Sequence, residues 1–387
     1  MSQKEAVMDT SRTRFFIALM QELMFSMNNW YGHENWDHER FGPYRSSLKR
    51  EAITRLNELF DGRIAIVPAN ISRGLVQDLS GMESSIEGFA SLYELLADES
   101  SKSTLIKVLA YRLMGHKHVK LPTNTSSYWS TRKGMRSFIK SREAIKVKFP
   151  DLQLNHFSLE NIGYPIELFF APSGLMVTFV LKQYEYQKRT PPIRVKEGDY
   201  VIDGGGCWGD TALYFAHTAG QQGRIFTFEF TPENLDIFQR NRDLNPELSP
   251  RIELVRRALW DTSGETMRYS PHGPGTSMAQ GVQSDGNHDS LQVTTISIDD
   301  FVSEKNLPRI DFIKMDIEGA ELKALKGAEE SIRAFKPRLA ISVYHRQEDF
   351  MTIPAYVNNL NLGYEFFLDH FTIYGEETIL FAAPKVA

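Results

Sequence analysis

The sequence predicts an α/β protein: a mostly parallel sheet of seven strands with helices on both faces, preceded by a mainly helical region. Three observations carry that expectation. From Tyr200 onward, short apolar runs alternate with segments of helical periodicity. The first run, Tyr200–Asp203, ends in glycines that open a helix. The last two runs have no helix between them, so they are expected to pair as an antiparallel hairpin at the edge.

The strand candidates are Tyr200–Asp203, Arg224–Glu229, Ile252–Leu259, Asp311–Asp316, Arg338–Tyr344, Glu365–Phe371 and Thr378–Ala383. Helical patterns fill the gaps at Thr211–Ala219, Pro232–Leu244, Ala320–Phe335 and Asp349–Leu360. Such alternation builds βα units on a parallel sheet buried on both faces. Just upstream, Tyr164–Phe170 and Leu175–Leu181 flank Pro172-Ser173-Gly174 and read as a hairpin.

Residues 1–150 read as a separate, mainly helical domain, with the α/β domain over 151–387. Phe16, Leu19, Met20, Leu23 and Met27 recur at helical spacing, as an amphipathic helix packing on its own domain or offering a dimer or membrane-surface face. A homo-oligomer is compatible with that helix. A second apolar stripe runs from Leu48 to Phe60, with Gly62 as its stop and Arg63–Val67 as a lone strand. Ile86–Leu96 and Thr104–Met114 give two further helices. Arg132–Lys148 carries seven basic residues against Glu143 and reads as a solvated helix face or linker, with attraction of an anionic substrate as the alternative.

Composition narrows the function classes. A formal net charge of −5 argues against a nucleic-acid binder. One cysteine, Cys207, excludes an internal disulfide framework and points to the reducing cytoplasm. No apolar run reaches the length of a membrane span, and Phe15–Met20 is too short for a signal-peptide core.

The strongest local signal is Val201-Ile202-Asp203-Gly204-Gly205-Gly206-Cys207-Trp208-Gly209-Asp210-Thr211. Glycines here let backbone N–H groups approach a ligand, and the following helix N-terminus adds free donors. Glu229, 20 residues past Gly209, closes the next strand, where a carboxylate can accept both ribose hydroxyls. Alone, the loop suits a dinucleotide or S-adenosylmethionine. Asp203 directly before the glycines favours the second, since it can face an ammonium but would repel a pyrophosphate.

These segments resemble the FkbM-type methyltransferase family. The resemblance is carried by the glycine loop through Leu213, by Phe228-Glu229-Phe230 with Pro232 and Asn234, and by Ala258-Leu259-Trp260-Asp261-Thr262-Ser263-Gly264. It is strongest at Ile313-Lys314-Met315-Asp316-Ile317-Glu318-Gly319-Ala320-Glu321 with Leu325 and Gly327. Ile341-Ser342-Val343-Tyr344-His345 ahead of Ile353-Pro354 also fits, and a weaker echo lies at Leu96–Pro122. Gly206-Cys207 departs from the Ala-Asn common in the family.

The resemblance implies a Rossmann-like class I fold and an S-adenosylmethionine-dependent O-methyltransferase. Its acceptor would be a small molecule or glycan carrying a hydroxyl on a sugar, glycan or natural product. An NAD-dependent oxidoreductase and a non-catalytic binding module of the same fold are the competing readings. Asp203, Gly205 and Gly209 are assigned to the methionine end, Glu229 to the ribose, and Arg257 and Ala258 to the border of the adenine. Tyr184, Glu185 and Tyr186 are candidates to cover the methionine end. Lys314, Asp316, Glu318 and His345 form the candidate catalytic cluster, with Asp316 or His345 as base. Strand alternation places Lys314, Asp316 and Glu318 on one side. Asp316 and Glu318 also offer oxygen ligands for a divalent metal, although the full ligand set is not visible in sequence. His33, Asp37 and His38 read as surface loop chemistry, and the glycine-rich stretch Tyr269–Gly286 as a lid over the acceptor.

Overall fold

The computed structural model describes residues 3–44, 85–148, 152–269, 275–276 and 291–385. The stripe at Leu48–Phe60, Gly62, Arg63–Val67 and most of the Tyr269–Gly286 stretch lie outside the described residues. The chain forms two compact units, residues 1–125 with 372–376, and residues 126–371 with 377–387. Among the described residues no helix is long and apolar enough to cross a membrane.

In the first unit, α1 (Gln3–Met27) packs on α3 (Ile86–Leu95) and α4 (Glu99–Met114). Its buried stripe is Phe15, Leu19 and Leu23, spaced by four, while Phe16 and Met27 are exposed. Leu19 and Leu23 lie on the predicted face, with Phe15 in place of Phe16 at its start and Met27 left outside it. Asp37 is buried and caps α2 (His38–Phe41), accepting from the N–H groups of Glu39 and Arg40. A helix cap, rather than surface loop chemistry, explains its position.

The second unit opens with a three-stranded antiparallel sheet, β1 (Ile139–Val147), β2 (Leu152–Ser158) and β3 (Glu167–Phe170). The basic segment is thus helix α5 (Ser126–Gly134), a 3-10 turn and then strand β1, not one helix face or linker. Ile145 and Val147 lie opposite Leu154 and Leu152, which gives that charged run a pleated partner. The expected hairpin at 164–181 does not form. Pro172 instead starts helix α6 (Pro172–Leu175), and a π-helical turn follows over Met176–Val180.

The main sheet has seven strands in the order β12-β13-β11-β10-β4-β5-β6. Four of them run in parallel register from β4 (Tyr200–Gly204) through β5 (Arg224–Phe228) to β6 (Ile252–Val255) and across to β10 (Phe312–Met315), with β11 (Arg338–Ser342) parallel to β10. β13 (Thr378–Pro384) inserts antiparallel between β11 and β12 (Tyr364–His370), so of that last pair β12 alone is an edge. The fold is the seven-stranded, mostly parallel α/β sheet with an antiparallel C-terminal pair that the sequence predicts. Two elements differ from expectation. The third strand stops at Val255, because Ala258–Leu259 (β7) leaves to pair with β9 (Leu291–Ile296), which also pairs with β8 (Thr266–Tyr269). The long helix over 320–335 is two helices, α10 (Glu321–Lys326) and α11 (Glu329–Phe335). They part at Gly327, where a Cβ would stand 2.2 Å from the Trp260 carbonyl oxygen.

Helix α7 (Asp210–Ala219) follows β4, and α8 (Pro232–Asp243) follows β5. Phe215 of α7 packs on Phe312, and Phe301 of α9 (Ile298–Lys305) packs on Phe226 and Phe228. Strand order reverses between β4 and β10, and the open crevice of such a sheet lies beyond the carboxyl ends at that point. Gly205 joins the two strands there. Its φ is +82°, and a Cβ would stand 2.0 Å from the Asp316 carbonyl oxygen.

Gly205→Ala is therefore expected to lose more than about 3 kcal/mol of stability by chemical denaturation. Gly264 shares the left-handed conformation (φ +83°) but has nothing within 4 Å of the added Cβ. Gly264→Ala should lose only about 1–2 kcal/mol. Equal losses at the two positions would remove the steric argument.

Candidate active site

The cleft beyond β4, β5 and β10 holds about 540 Å³ of empty space, part of it open to solvent. Gly205, Cys207, Phe228, Glu229, Phe230, Thr231 and Asn234 line one part of it. Arg257, Ala258, Leu259, Thr276, Asp316, Ile317 and Glu318 line the rest. Of the residues singled out in the sequence, Gly205, Glu229, Arg257, Ala258, Asp316 and Glu318 share this cleft. Asp203, Gly209, Lys314, His345, Tyr184 and Tyr186 are not among its lining residues.

Glu229 follows β5 and is 7% exposed. Its Oε1 accepts from the N–H groups of Phe230 (2.6 Å) and Thr231 (2.7 Å), and its Oε2 accepts from Asn234 Nδ2 at 3.1 Å. Burial pushes its pKa above the ordinary value, against the opposing pull of these donors. The carboxylate is thus fixed by three donors, and Oε2 keeps lone-pair capacity toward the cleft. Arg257 forks onto Glu304 at 2.9 and 3.0 Å, so its charge is already matched at the rim.

Asp203 sits beneath the glycine loop with no solvent exposure. Register places it opposite Lys314 on β10 and Thr227 on β5. Lys314 Nζ lies 3.2 Å from Asp203 Oδ1, and Thr211 and Thr227 donate their hydroxyls to the same carboxylate at 3.0–3.2 Å. Lys314 also donates to the carbonyls of Gly204 (2.9 Å) and Gly205 (2.7 Å). Burial disfavours the ammonium, but Asp203, Asp316 and Asp210 outweigh it and raise its pKa. These two residues hold the loop from below, while the sequence alone suggests ligand-facing charges.

Strand alternation ends at Met315. Beyond it, Asp316 N–H donates to the Gly204 carbonyl, and Glu318 (φ +56°) and Gly319 (φ +89°) turn the chain sharply. That turn, rather than a strand face, brings Asp316 and Glu318 into the cleft. Tyr184 donates its hydroxyl to Asp316 Oδ2 (2.8 Å), and Tyr344 to Oδ1 (3.1 Å). His345 Nε2 lies 3.3 Å from Asp316 Oδ1 and 3.5 Å from Glu318 Oε2, and Nδ1 lies 3.0 Å from Glu321 Oε1. Burial opposes charge on His345, but the nearby carboxylates of Asp316, Glu318 and Glu321 hold the ring well above the ordinary histidine range. Burial likewise opposes ionised Asp316, yet His345 and then Lys314 keep it well below the carboxylate range. Glu321 is fully buried and belongs to this cluster. Its place in the run Asp316-Ile317-Glu318-Gly319-Ala320-Glu321 marks it, although nothing in that run reveals a partner farther on in sequence, past β11, at His345. Asn234 and Tyr344 were within reach of the motifs as neighbours of Glu229 and His345.

Tyr184 reaches the site through Asp316, whereas Tyr186 packs on Phe367 and Phe381 in the core and Glu185 accepts from the Tyr214 hydroxyl. Gly209 caps α7 in a left-handed turn against Phe238. Asp210, beside it, is buried and accepts from Thr178 Oγ1 at 2.7 Å.

Comparison with known proteins agrees with this architecture. Residues 196–366 match the family model described as the methyltransferase FkbM domain. Methyltransferase 1 of Beauveria bassiana is 26% identical over 195 residues, which cover 46% of this chain and 78% of that protein. A hexuronic acid methyltransferase of Haloferax volcanii is 28% identical over 110 residues, 28% of this chain and 43% of that protein. A 2-O-methyltransferase of Sinorhizobium fredii is 36% identical over 89 residues, 23% of this chain and 33% of that protein.

Two predictions follow from the buried charges. Lys314→Met leaves the Asp203 carboxylate and two loop carbonyls without their cation, and should lose about 3–5 kcal/mol in urea denaturation. Adding Asp203→Asn should recover part of that loss; a single-variant loss under about 1 kcal/mol would contradict the pairing. The second concerns Asp210, whose pKa burial pushes up to about 6 against the Thr178 hydrogen bond and the Lys314 charge. The folded state then binds the proton more tightly than the unfolded chain, so this group's stabilisation is full below about pH 4 and is lost as pH rises through 6. Asp210→Asn should remove a decline of about 3 kcal/mol between those limits. Parallel stability–pH curves for the two proteins would refute it.

Proposed function

We propose, from the match of residues 196–366 to the methyltransferase FkbM domain, that the chain transfers a methyl group from S-adenosylmethionine to a hydroxyl of a sugar, glycan or natural product. The glycine loop's dinucleotide reading gives way to the family match. The observation that carries the proposal is Glu229, a buried carboxylate held by three donors at the end of β5 and lining the cleft. Such a group suits a vicinal ribose diol.

The donor set fits the whole cofactor. Phe230, Ala258, Leu259 and Ile317 offer apolar walls for an adenine, and Asp316 and Glu318 offer negative charge to a cationic methionine end. S-adenosylmethionine supplies an electrophilic methyl group on a positively charged sulfur. What this chain contributes is placement, which alone can supply roughly 7–11 kcal/mol toward the barrier. Gly205 and Cys207 form the loop floor, and Lys314 and Asp203 fix it from beneath. Asp203 and Lys314 are therefore positioning residues. Asp316, kept ionised by its neighbours, accepts a hydrogen bond from the acceptor hydroxyl and aims its oxygen.

The acceptor class draws on two relatives, one named for hexuronic acid and one for 2-O-methylation. Each is covered by this chain over less than half its length.

Hydrogen bonds to charged groups contribute about 1.5–3 kcal/mol. Glu229→Ala should weaken S-adenosylhomocysteine binding about ten- to a hundredfold in calorimetry, with the fold intact by circular dichroism. Unchanged affinity would remove Glu229 from the cofactor site. Candidate sugars and glycans incubated with isotope-labelled S-adenosylmethionine should gain a labelled methyl group on oxygen by mass spectrometry, and label on nitrogen or carbon instead would overturn the acceptor reading.

A further inference from the structure

We propose that Asp316, Glu321 and His345 bind a divalent metal ion at the floor of the cleft, with Glu318 within reach to complete the set. The three residues can each present one ligand atom so that all three lie within 4.8 Å of one another. Bonds of about 2.0–2.2 Å from one ion place adjacent ligand atoms roughly 3.0–3.4 Å apart. His345 Nε2 stands 3.3 Å from Asp316 and 3.5 Å from Glu318, close to that spacing, and its Nδ1 stands 3.0 Å from Glu321, so either nitrogen has a carboxylate at ligand distance.

A second, independent observation points to a missing cation. The His345 side chain is 8% exposed and Glu321 is fully buried. Among the described residues, neither ring nitrogen of His345 makes a hydrogen bond of acceptable geometry, and neither does Glu321 Oε2. Oxygens surround the ring at short range, yet none lies along an N–H. Buried polar atoms without partners are costly, and an ion beside them would satisfy Glu321 Oε2 and one of the two ring nitrogens.

The surroundings resemble an outer coordination shell. Asp316 receives the hydroxyls of Tyr184 and Tyr344, and Glu321 Oε1 receives the Ile317 N–H at 2.8 Å. Ligating carboxylates are held by such donors, which fix their orientation. Two carboxylates with one imidazole suit a first-row divalent ion rather than a soft one. Asp316 and Glu318 line the cleft, so open coordination positions would face the acceptor. There the ion would bind the acceptor hydroxyl and favour loss of its proton to solvent as the oxygen takes the methyl group. That role rests on the methyltransferase reading, whereas the binding site rests on geometry alone. Two neighbouring oxygens on the acceptor, as in a vicinal diol or a hydroxy acid, would chelate best.

The test uses the full chain and Mn²⁺ as probe. Electron paramagnetic resonance and calorimetry should show one Mn²⁺ per chain, with affinity falling at least about tenfold in Glu321→Gln and in His345→Gln. Circular dichroism and S-adenosylhomocysteine affinity serve as the folding controls. If Glu321→Gln fails to fold, His345→Gln decides. A folded wild-type chain that takes up no Mn²⁺, with or without S-adenosylhomocysteine, overturns the site and leaves His345 as an imidazolium held by carboxylates. Uptake that both variants retain at full strength overturns it as well. Mn²⁺ uptake by a chain that binds no S-adenosylhomocysteine would support the metal site while sinking the methyltransferase assignment.

Discussion

The ion pair between Lys314 and Asp203 is the constraint on which the site rests. It joins β10 to β4 at matched register in the centre of the sheet, where neither charge meets water. A pair so placed survives only if its remaining donors and acceptors are satisfied. Thr211 and Thr227 complete the carboxylate, and the carbonyls of Gly204 and Gly205 complete the ammonium. Every partner comes from a different element: β4 with its loop, β5, α7 and β10. A slip of one residue between β4 and β10 would turn Lys314 to the opposite face and strand both charges. The pair therefore ties strand register to loop shape, and loop shape fixes the floor of the cleft.

Above that floor the charges are arranged differently. Asp316 lies just past the end of β10, close enough to Lys314 to feel its field but held directly by Tyr184, Tyr344 and His345. The left-handed pair Glu318-Gly319 reverses the chain, and Arg346 packs where a Cβ on Gly319 would stand, 2.7 Å away. Backbone held in a sparsely populated region tends to persist where neighbours over-determine it. Here the strained turn brings two carboxylates into the cleft and sends the third, Glu321, beneath it.

Which parts were legible in the sequence follows from the same distinction. Glu229 and Asp316 were readable because each ends a parallel strand, and side chains at those ends converge on one crevice. The antiparallel pairing of the last two strands was readable because those runs lack a helix between them, but the place of β13 inside β12 was not. Asp203 and Lys314 were identified as important, but their direction was not. Alternation reports which residues share a face, and a charge on the face of a central strand can point to ligand or to a partner inside the protein. The register that decides between them is a long-range property. Glu321 was hidden for a similar reason: a carboxylate opening a helix normally reads as an exposed helix-terminus charge, and only His345 from another strand end shows otherwise. The segment at 164–181 failed on local grounds. Proline and glycine between apolar runs suit a turn, yet Pro172 is equally suited to the first position of a helix.

Charge complementarity also limits what the acidic residues can do in catalysis. A carboxylate beside a sulfonium stabilises the cation before transfer more than after it, because the sulfur loses its charge as the methyl leaves. Interactions that are stronger in the ground state raise affinity without lowering the barrier. Under the proposed function Glu229 escapes this limit, since the ribose it would hold does not change its charge. Asp316 and Glu318 do not escape it if their only partner is the cofactor. Their carboxylates help the reaction when they also act on the acceptor oxygen, by aligning its O–H or by holding a cation that favours its deprotonation. A cation held by His345, Glu321 and Asp316 next to the cleft, as proposed above, would give them that second partner.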